Sequence, residues 1–268
     1  MQKVVFITGV SSGFGEKTAK LLAEKGYIVY GTVRKMSDEK QGIQHLQLDL
    51  TNPESIKLAV GEVLRKEGRI DVLINNAGMH TGGSIETMPI ENARLQMDTN
   101  VMGLVYMLRE VLPAMRKQQS GTIINFSSIG GLMGLPFQGF YSASKFAIEG
   151  LSEALRMELK QFNIKVIVIN PGDFHTNNTA NRRNYLGKTI DDPYAEQFSK
   201  TLSIIEKDEN RGWSPEVLAR KLVRIIGKKN PRSHYVIASM EQKLAVILKK
   251  MLPASLFMKI LAPHYGIK

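Results

Sequence analysis

The chain predicts a single α/β domain: an open, doubly wound parallel sheet with helices on both faces. Three observations lead there. A short apolar run at residues 3–8 is followed at once by a Gly-rich turn and an amphipathic stretch. Apolar runs then alternate with helix-length periodic segments along most of the chain, the pattern of strands joined by helical crossovers. Finally, the 268 residues contain no repeat, low-complexity tract or long linker that would divide them, and one α/β core of this length is common.

The elements follow in order. Lys3-Val-Val-Phe-Ile-Thr8 reads as a strand buried on both faces. Gly9-Val-Ser-Ser-Gly13-Phe-Gly15 is the turn, and residues 16–25 form a helix with apolar Ala19, Leu21, Leu22 and Ala23 that stops at Gly26. Such a turn lets backbone N–H groups approach a phosphate, and the helix N-terminus favours its charge. Further strands are expected at 29–33, 46–48, 72–75, 122–127 and 166–170, and helices at 53–67, 91–117 and 141–162. Right-handed crossovers between such strands give a parallel sheet. Ser214-Pro215 marks another helix start.

The segment 173–214 breaks the alternation. It is polar, with Asn177-Asn178, Arg182-Arg183 and Asp191-Asp192, but it carries Phe174, Tyr185, Tyr194 and Phe198; it is expected to hold a substrate lid. Trp213 reads as packing or part of that lid. The tail, 241–268, is apolar and basic, and two short amphipathic helices divided by Pro253 are expected there. They would lie on an anionic membrane, cover a pocket or pack on a second subunit.

Chemistry concentrates at Ser128-x12-Tyr141-Ser-Ala-Ser-Lys145. Tyr141 and Lys145 are four apart and share one helix face. An ammonium beside a phenol favours the phenolate, making Tyr141 an acid or base able to exchange a proton with an alcohol or ketone. Ser128, at the end of a strand, would hydrogen-bond the same oxygen.

Together, Thr8-Gly-Val-Ser-Ser-Gly-Phe-Gly15, Asn75-Asn-Ala-Gly78, Asn100, Ser128, Tyr141-x-x-x-Lys145 and Pro171-Gly172-x-x-x-Thr176 resemble the short-chain dehydrogenase/reductase family, in its order and over residues 1–240. Residues 130–147 also look like the branch of 17β-hydroxysteroid and retinol dehydrogenases. The resemblance implies a Rossmann-type sheet of about seven strands, the seventh at 234–238. It implies cofactor contacts from Gly9, Ser11, Ser12, Gly13, Phe14 and Gly15 in the turn. Asp49 and Leu50 would meet the adenine, and Asn76, Ala77 and Gly78 the adenosine ribose. Pro171 and Gly172 would wall the nicotinamide, and Thr176 would hold its amide or the pyrophosphate. It makes Asn100, Ser128, Tyr141 and Lys145 the catalytic set, with Lys145 also on the nicotinamide ribose and Asn100 anchoring a water beyond it.

The second strand speaks to the cofactor. NAD enzymes place an acid near its end for the ribose hydroxyls. Here it ends Tyr30-Gly-Thr-Val-Arg34-Lys35, and the first acids are Asp38 and Glu39. An Arg fork suits a 2′-phosphate, so Arg34, helped by Ser11, favours NADP(H) over NAD(H).

These readings give an NADPH-dependent oxidoreductase transferring hydride between NADP(H) and an apolar ketone, aldehyde or secondary alcohol that is steroid-, retinoid- or fatty-chain-like. Alternatives are an NADP-binding redox sensor or scaffold, and a membrane-surface protein with little turnover. Met133, Leu135, Phe137 and Phe174 are candidate substrate contacts; the first three would equally suit plain core packing. His80 and His175 are further candidates. No His/Asp/Glu cluster suggests a metal, and with no cysteines thiolate chemistry is excluded. The net charge of +11, much of it after residue 219, comes with no nucleic-acid motif; a solvated surface and an anionic cofactor account for it. The strand beginning at residue 3 and the lack of a long apolar run lead to a cytoplasmic expectation, with peripheral membrane contact through the tail as an alternative. By the resemblance, a homodimer or tetramer would pair the helices at 91–117 and 141–162.

Overall fold

A computed structural model describes residues 2–36, 42–176, 183–184 and 192–267. Asp38, Glu39, Asn177, Asn178, Arg182, Tyr185 and Asp191 lie outside the described residues, as does much of the expected lid.

Among the described residues, seven strands form one parallel sheet: β1 (Val4–Ile7), β2 (Ile28–Val33), β3 (Ile43–Gln47), β4 (Val72–Asn75), β6 (Gly121–Phe126), β7 (Ile164–Pro171) and β9 (His234–Ile237), in the order β3-β2-β1-β4-β6-β7-β9. β1 is fully buried and pairs Val5 with Val29 on one side and Val72 on the other. The order reverses at β1, so the crevice beyond the carboxyl ends of β1 and β4 is where such a sheet takes a ligand.

Both faces are covered. On one, α2 (Pro53–Glu67), α4 (Gly103–Gln118) and α5 (Gly139–Glu158) pack Val63, Met107, Val111 and Ile148 against Leu73 and Ile123. On the other, α1 (Gly13–Glu24) and α7 (Pro215–Ile226) pack Leu22, Leu218 and Leu222 against Ile7, Ile74 and Ile124. Local signals fix the ends. Asn52 caps α2 by accepting from Glu54 and Ser55 N–H, with Pro53 following, and Gly68 ends that helix at φ 68°. Ser214 and Pro215 start α7 as expected. A buried polar ladder orients α5: Asn75 Nδ2 donates to Asn125 Oδ1 (2.8 Å), and Asn125 Nδ2 to Ser152 Oγ (2.9 Å).

Three features differ from the sequence reading. The helix expected over 91–117 is split into α3 (Ile90–Met97), a π-helical turn at Asp98–Met102, and α4. A small parallel pair, β5 (Thr81–Gly82) with β8 (Arg183–Asn184), lies outside the main sheet. The interrupted segment contains a full helix, α6 (Ala195–Arg211). Its periodicity is masked because only Phe198, Thr201 and Ile205 face inward among charged neighbours. The tail forms α8 (Met240–Met251) and α9 (Ala254–His264), split at Pro253 as expected. A reciprocal box between Ser239 and Gln242 starts α8.

Candidate active site

The cleft at the sheet's carboxyl edge has a volume of about 1260 Å³. Of the expected site residues, Gly9, Ser11, Ser12, Gly13, Phe14, Arg34, Asp49, Leu50, Asn76, Ala77, Gly78, Ser128, Met133, Leu135, Tyr141, Lys145, Pro171, Gly172, Phe174 and Thr176 line it. Residues more than 150 positions apart in sequence thus meet at one surface.

The Gly-rich turn leaves β1 and enters α1. Gly9 and Gly13 sit at φ 74° and 62°, a region where a side chain is strained. Ser12 is the N-cap of α1, and its side chain makes no cap bond, so the first N–H groups of that helix stay available to an anion. Asn76 braces the turn from behind: its Nδ2 donates to Thr8 O (2.8 Å) and Gly9 O (3.0 Å). Thr8 Oγ1 accepts from Asn76 and Ala77 N–H, each at 3.0 Å. Gly15 is not on the cleft wall. A Cβ there would fall 2.0 Å from Gly9 O and 2.6 Å from Asn76 Nδ2, so its hydrogen is what lets the turn close on α1. Arg34 is exposed just beyond β2. Asp49 Oδ1 accepts from Thr51 N–H (2.9 Å) and Oγ1 (2.8 Å). This cradle fits a dinucleotide: backbone donors at one end of the crevice, a cation at Arg34, and no side chain where the turn must come close.

Ser128, Tyr141 and Lys145 stand where β6 meets α5. Ser128 Oγ accepts from Gly130 N–H (3.0 Å). Lys145 is buried; its Nζ donates to Phe126 O (2.9 Å) and lies 5.7 Å from the Tyr141 ring centre. Burial lowers its pKa to about 8, opposed by the Glu149 charge. Asn170 Nδ2 donates to Ser128 O (3.0 Å) and so ties β7 to this strand end. His80, which sequence reasoning left as a weak candidate, stacks on Tyr141 with ring centres 4.0 Å apart.

Asn100 also lies off the cleft wall. From the π-helical turn its Oδ1 accepts from Met79 N–H (2.8 Å), and its Nδ2 donates to Met79 O (2.9 Å) and Ser144 Oγ (3.0 Å). It clamps the strand end that carries Gly78. A Cβ on Gly78 would stand 3.0 Å from Asn100 Oδ1 and 3.8 Å from Lys145 Nζ.

The expected substrate residues divide. Met133 and Leu135 face the cleft, and Met133 also belongs to a small apolar cluster with Val246 and Phe257. Phe174 lines the cleft but is held edge-on by Phe14 (4.9 Å) and Trp213 (6.1 Å). Phe137 does not reach the cleft. Its backbone is at φ 56°, its carbonyl accepts from Gly83 N–H, and its ring packs 5.4 Å from Phe198 on α6.

Sequence reasoning left the tail open between a membrane, a pocket and a second subunit, and named no residue of the far wall. The tail supplies Gln242, Ala245, Leu248, Phe257, Ile260 and Leu261, and α6 supplies Asp208 and Glu209. The inward apolar spacing of 245, 248, 257 and 261 was the available signal. Gln242 Nε2 donates to Asp173 Oδ2 (2.5 Å), and Gly172 has no room for a Cβ beneath its amide. Burial, then Glu209 and Asp208, push the Asp173 carboxyl up to about 6. His264 Nε2 lies 3.1 Å from Asp208 Oδ2. Among the described residues no group of three or more His, Cys, Asp or Glu is placed to hold a metal ion.

Known proteins resemble this chain throughout its length. Residues 3–186 match the family model described as short chain dehydrogenase. A 3-ketodihydrosphingosine reductase from Bacteroides thetaiotaomicron is 46% identical over 266 residues, covering 99% of each chain. The crystal structure of a short-chain dehydrogenase from Streptomyces avermitilis superposes with a TM-score of 0.83 at 28% identity, covering 97% of this chain and 95% of that one. A short chain dehydrogenase from Burkholderia cenocepacia in complex with NADP gives 0.75 at 25% identity, covering 97% and 99%. The chain belongs to the short-chain dehydrogenase/reductase family and is an oxidoreductase acting on C=O and CH–OH groups.

Proposed function

We propose that this enzyme uses NADPH to reduce the ketone of a long-chain amino ketone of the 3-ketodihydrosphingosine kind. The observation that carries the reading is the two-part lining of the cleft beyond Tyr141. Met133, Leu135, Leu248, Phe257 and Leu261 offer an apolar lobe. Asp173, Asp208 and Glu209, with Arg211 beside them, line the same cleft. An alkyl chain suits the first, and an ammonium next to a ketone suits the carboxylates. The relative from Bacteroides thetaiotaomicron, matched over 99% of each chain, supports the same substrate class.

A bound nicotinamide supplies the hydride. Tyr141 donates the proton to the developing alkoxide, and Ser128 Oγ holds that oxygen and stabilises its charge. Lys145 keeps its ammonium near the Tyr141 ring and favours the phenolate left behind. Arg34, with no acid beside it at the end of β2, supports NADPH over NADH, as does the NADP complex of the Burkholderia cenocepacia neighbour. Exposed Phe146, Leu151 and Met157 on α5 support self-association through that helix.

The test is NADPH consumption with 3-ketodihydrosphingosine, a steroid ketone, retinal and a 3-ketoacyl thioester, with NADH in parallel. The amino ketone is expected to be turned over best, and with NADPH. Preference for the thioester or the steroid would refute the amine-recognising wall. NADH preference would refute the role of Arg34. Tight NADPH binding with no turnover of any carbonyl would favour a redox sensor.

A further inference from the structure

Helix α8 is apolar on two opposite faces, and among the described residues only one of them is covered. Ala245, Val246 and Leu248 turn inward, where they join Met133, Phe257 and Leu261. On the outside, Met240, Leu244, Ile247 and Met251 recur at steps of four, three and four, which places them in one row. They are 79%, 54%, 51% and 75% exposed. On α9, Leu256 and Ile260, four apart and so on one side of that helix, are also exposed, at 45% and 50%. A row of exposed apolar residues on a helix surface marks an interaction surface.

Its surroundings say what covers it. Lys243, Lys249, Lys250 and Lys259 lie on the same two helices, whereas Glu241 is the one acidic residue between 240 and 267. Two copies of this face would bring like charges together, and the exposed apolar residues of α5 already offer a separate surface for self-association. An anionic bilayer satisfies both parts: acyl chains take the apolar row, and lipid phosphates take the lysines. The cleft also reaches this surface, since Ile260 both lines it and is half exposed.

We propose that the outer face of α8 and α9 docks on an anionic membrane surface, with the mouth of the cleft at Ile260 opening toward the lipid. No helix among the described residues is long and apolar enough to cross a membrane, so the contact is interfacial. It does not depend on which ketone the enzyme reduces.

The experiment is co-sedimentation of the full chain, loaded with NADPH, with vesicles of phosphatidylglycerol and phosphatidylcholine in equal parts, and with phosphatidylcholine alone. The protein is expected to bind the anionic vesicles and not the neutral ones. Leu244→Ser with Ile247→Ser, and separately Lys250→Glu with Lys259→Glu, are expected to weaken binding by roughly tenfold or more while leaving NADPH affinity unchanged. Lys250 and Lys259 are both exposed, whereas Lys249 packs over the Phe257 ring, so the exposed lysine pair tests the idea even if the apolar pair unfolds. No binding to anionic vesicles, or undiminished binding by the lysine variant, would overturn the proposal. So would a serine variant that binds lipid normally but loses a concentration-dependent dimer, because the face would then meet a second copy.

Discussion

Replacing Asn100 by alanine separates two roles for this residue. The family resemblance makes it a water anchor beyond Lys145, whereas the structure gives its whole amide to a clamp on Met79 and Ser144. The side chain is 3% exposed, so little water replaces what is removed. Three hydrogen bonds at about 0.5–1.5 kcal/mol each, with Met79 N–H and C=O left wanting partners, give a loss of about 2–4 kcal/mol. For a chain of this size that lowers Tm by roughly 4–8 °C. Urea unfolding followed by fluorescence of Trp213, the single tryptophan, measures it. Because the clamp sets Gly78 against Lys145, kcat is expected to fall as well. A variant within about 0.5 kcal/mol of wild type would refute the clamp; if kcat still fell, the water-anchoring role would be the better account.

Other outcomes follow from the same geometry. Tyr141→Phe removes the proton donor without disturbing the cradle, so NADPH affinity should stay near normal while turnover drops by roughly 100-fold or more; near-normal turnover would remove Tyr141 from its assigned role. Arg34→Ala should weaken NADPH binding by roughly tenfold or more and leave NADH little changed, which paired fluorescence titrations would show. Lys145 carries its charge below about pH 8 and loses it as pH rises through that value. Its pKa is held below the unfolded value, so NADPH affinity should weaken across that window in the wild type and stay flat in Lys145→Met.

The elements most legible in the sequence were those whose cause is local. β1 is a run of apolar residues because it is covered on both faces, and Gly9 and Gly13 were readable because a turn at positive φ needs glycine. Tyr141 and Lys145 were readable because helical geometry alone puts positions four apart on one side. The π-helical turn was not legible, since Asp98–Met102 has no local signal for it; the clamp from Asn100 to Met79 crosses 21 residues. Whether Phe137 meets substrate or packs was open in the sequence; it packs on Phe198, because its partner belongs to α6, a helix whose sparse inward face gave no clear period.

By itself, the sequence determined a doubly wound α/β sheet, a Gly-rich cradle at its first turn and a Tyr-Lys pair on one helix, with Ser128 at the strand end before it. Each follows from short-range pattern, which a linear text preserves. Only the tertiary structure decided that α8 and α9 fold back to wall the cleft. There Gln242 meets Asp173 across 69 positions and the outer apolar row of α8 is left bare. The same sequence of alternating apolar residues could have been buried on either side. Which side faces the protein is settled by packing against residues distant in the chain, and that is what leaves one face for a partner.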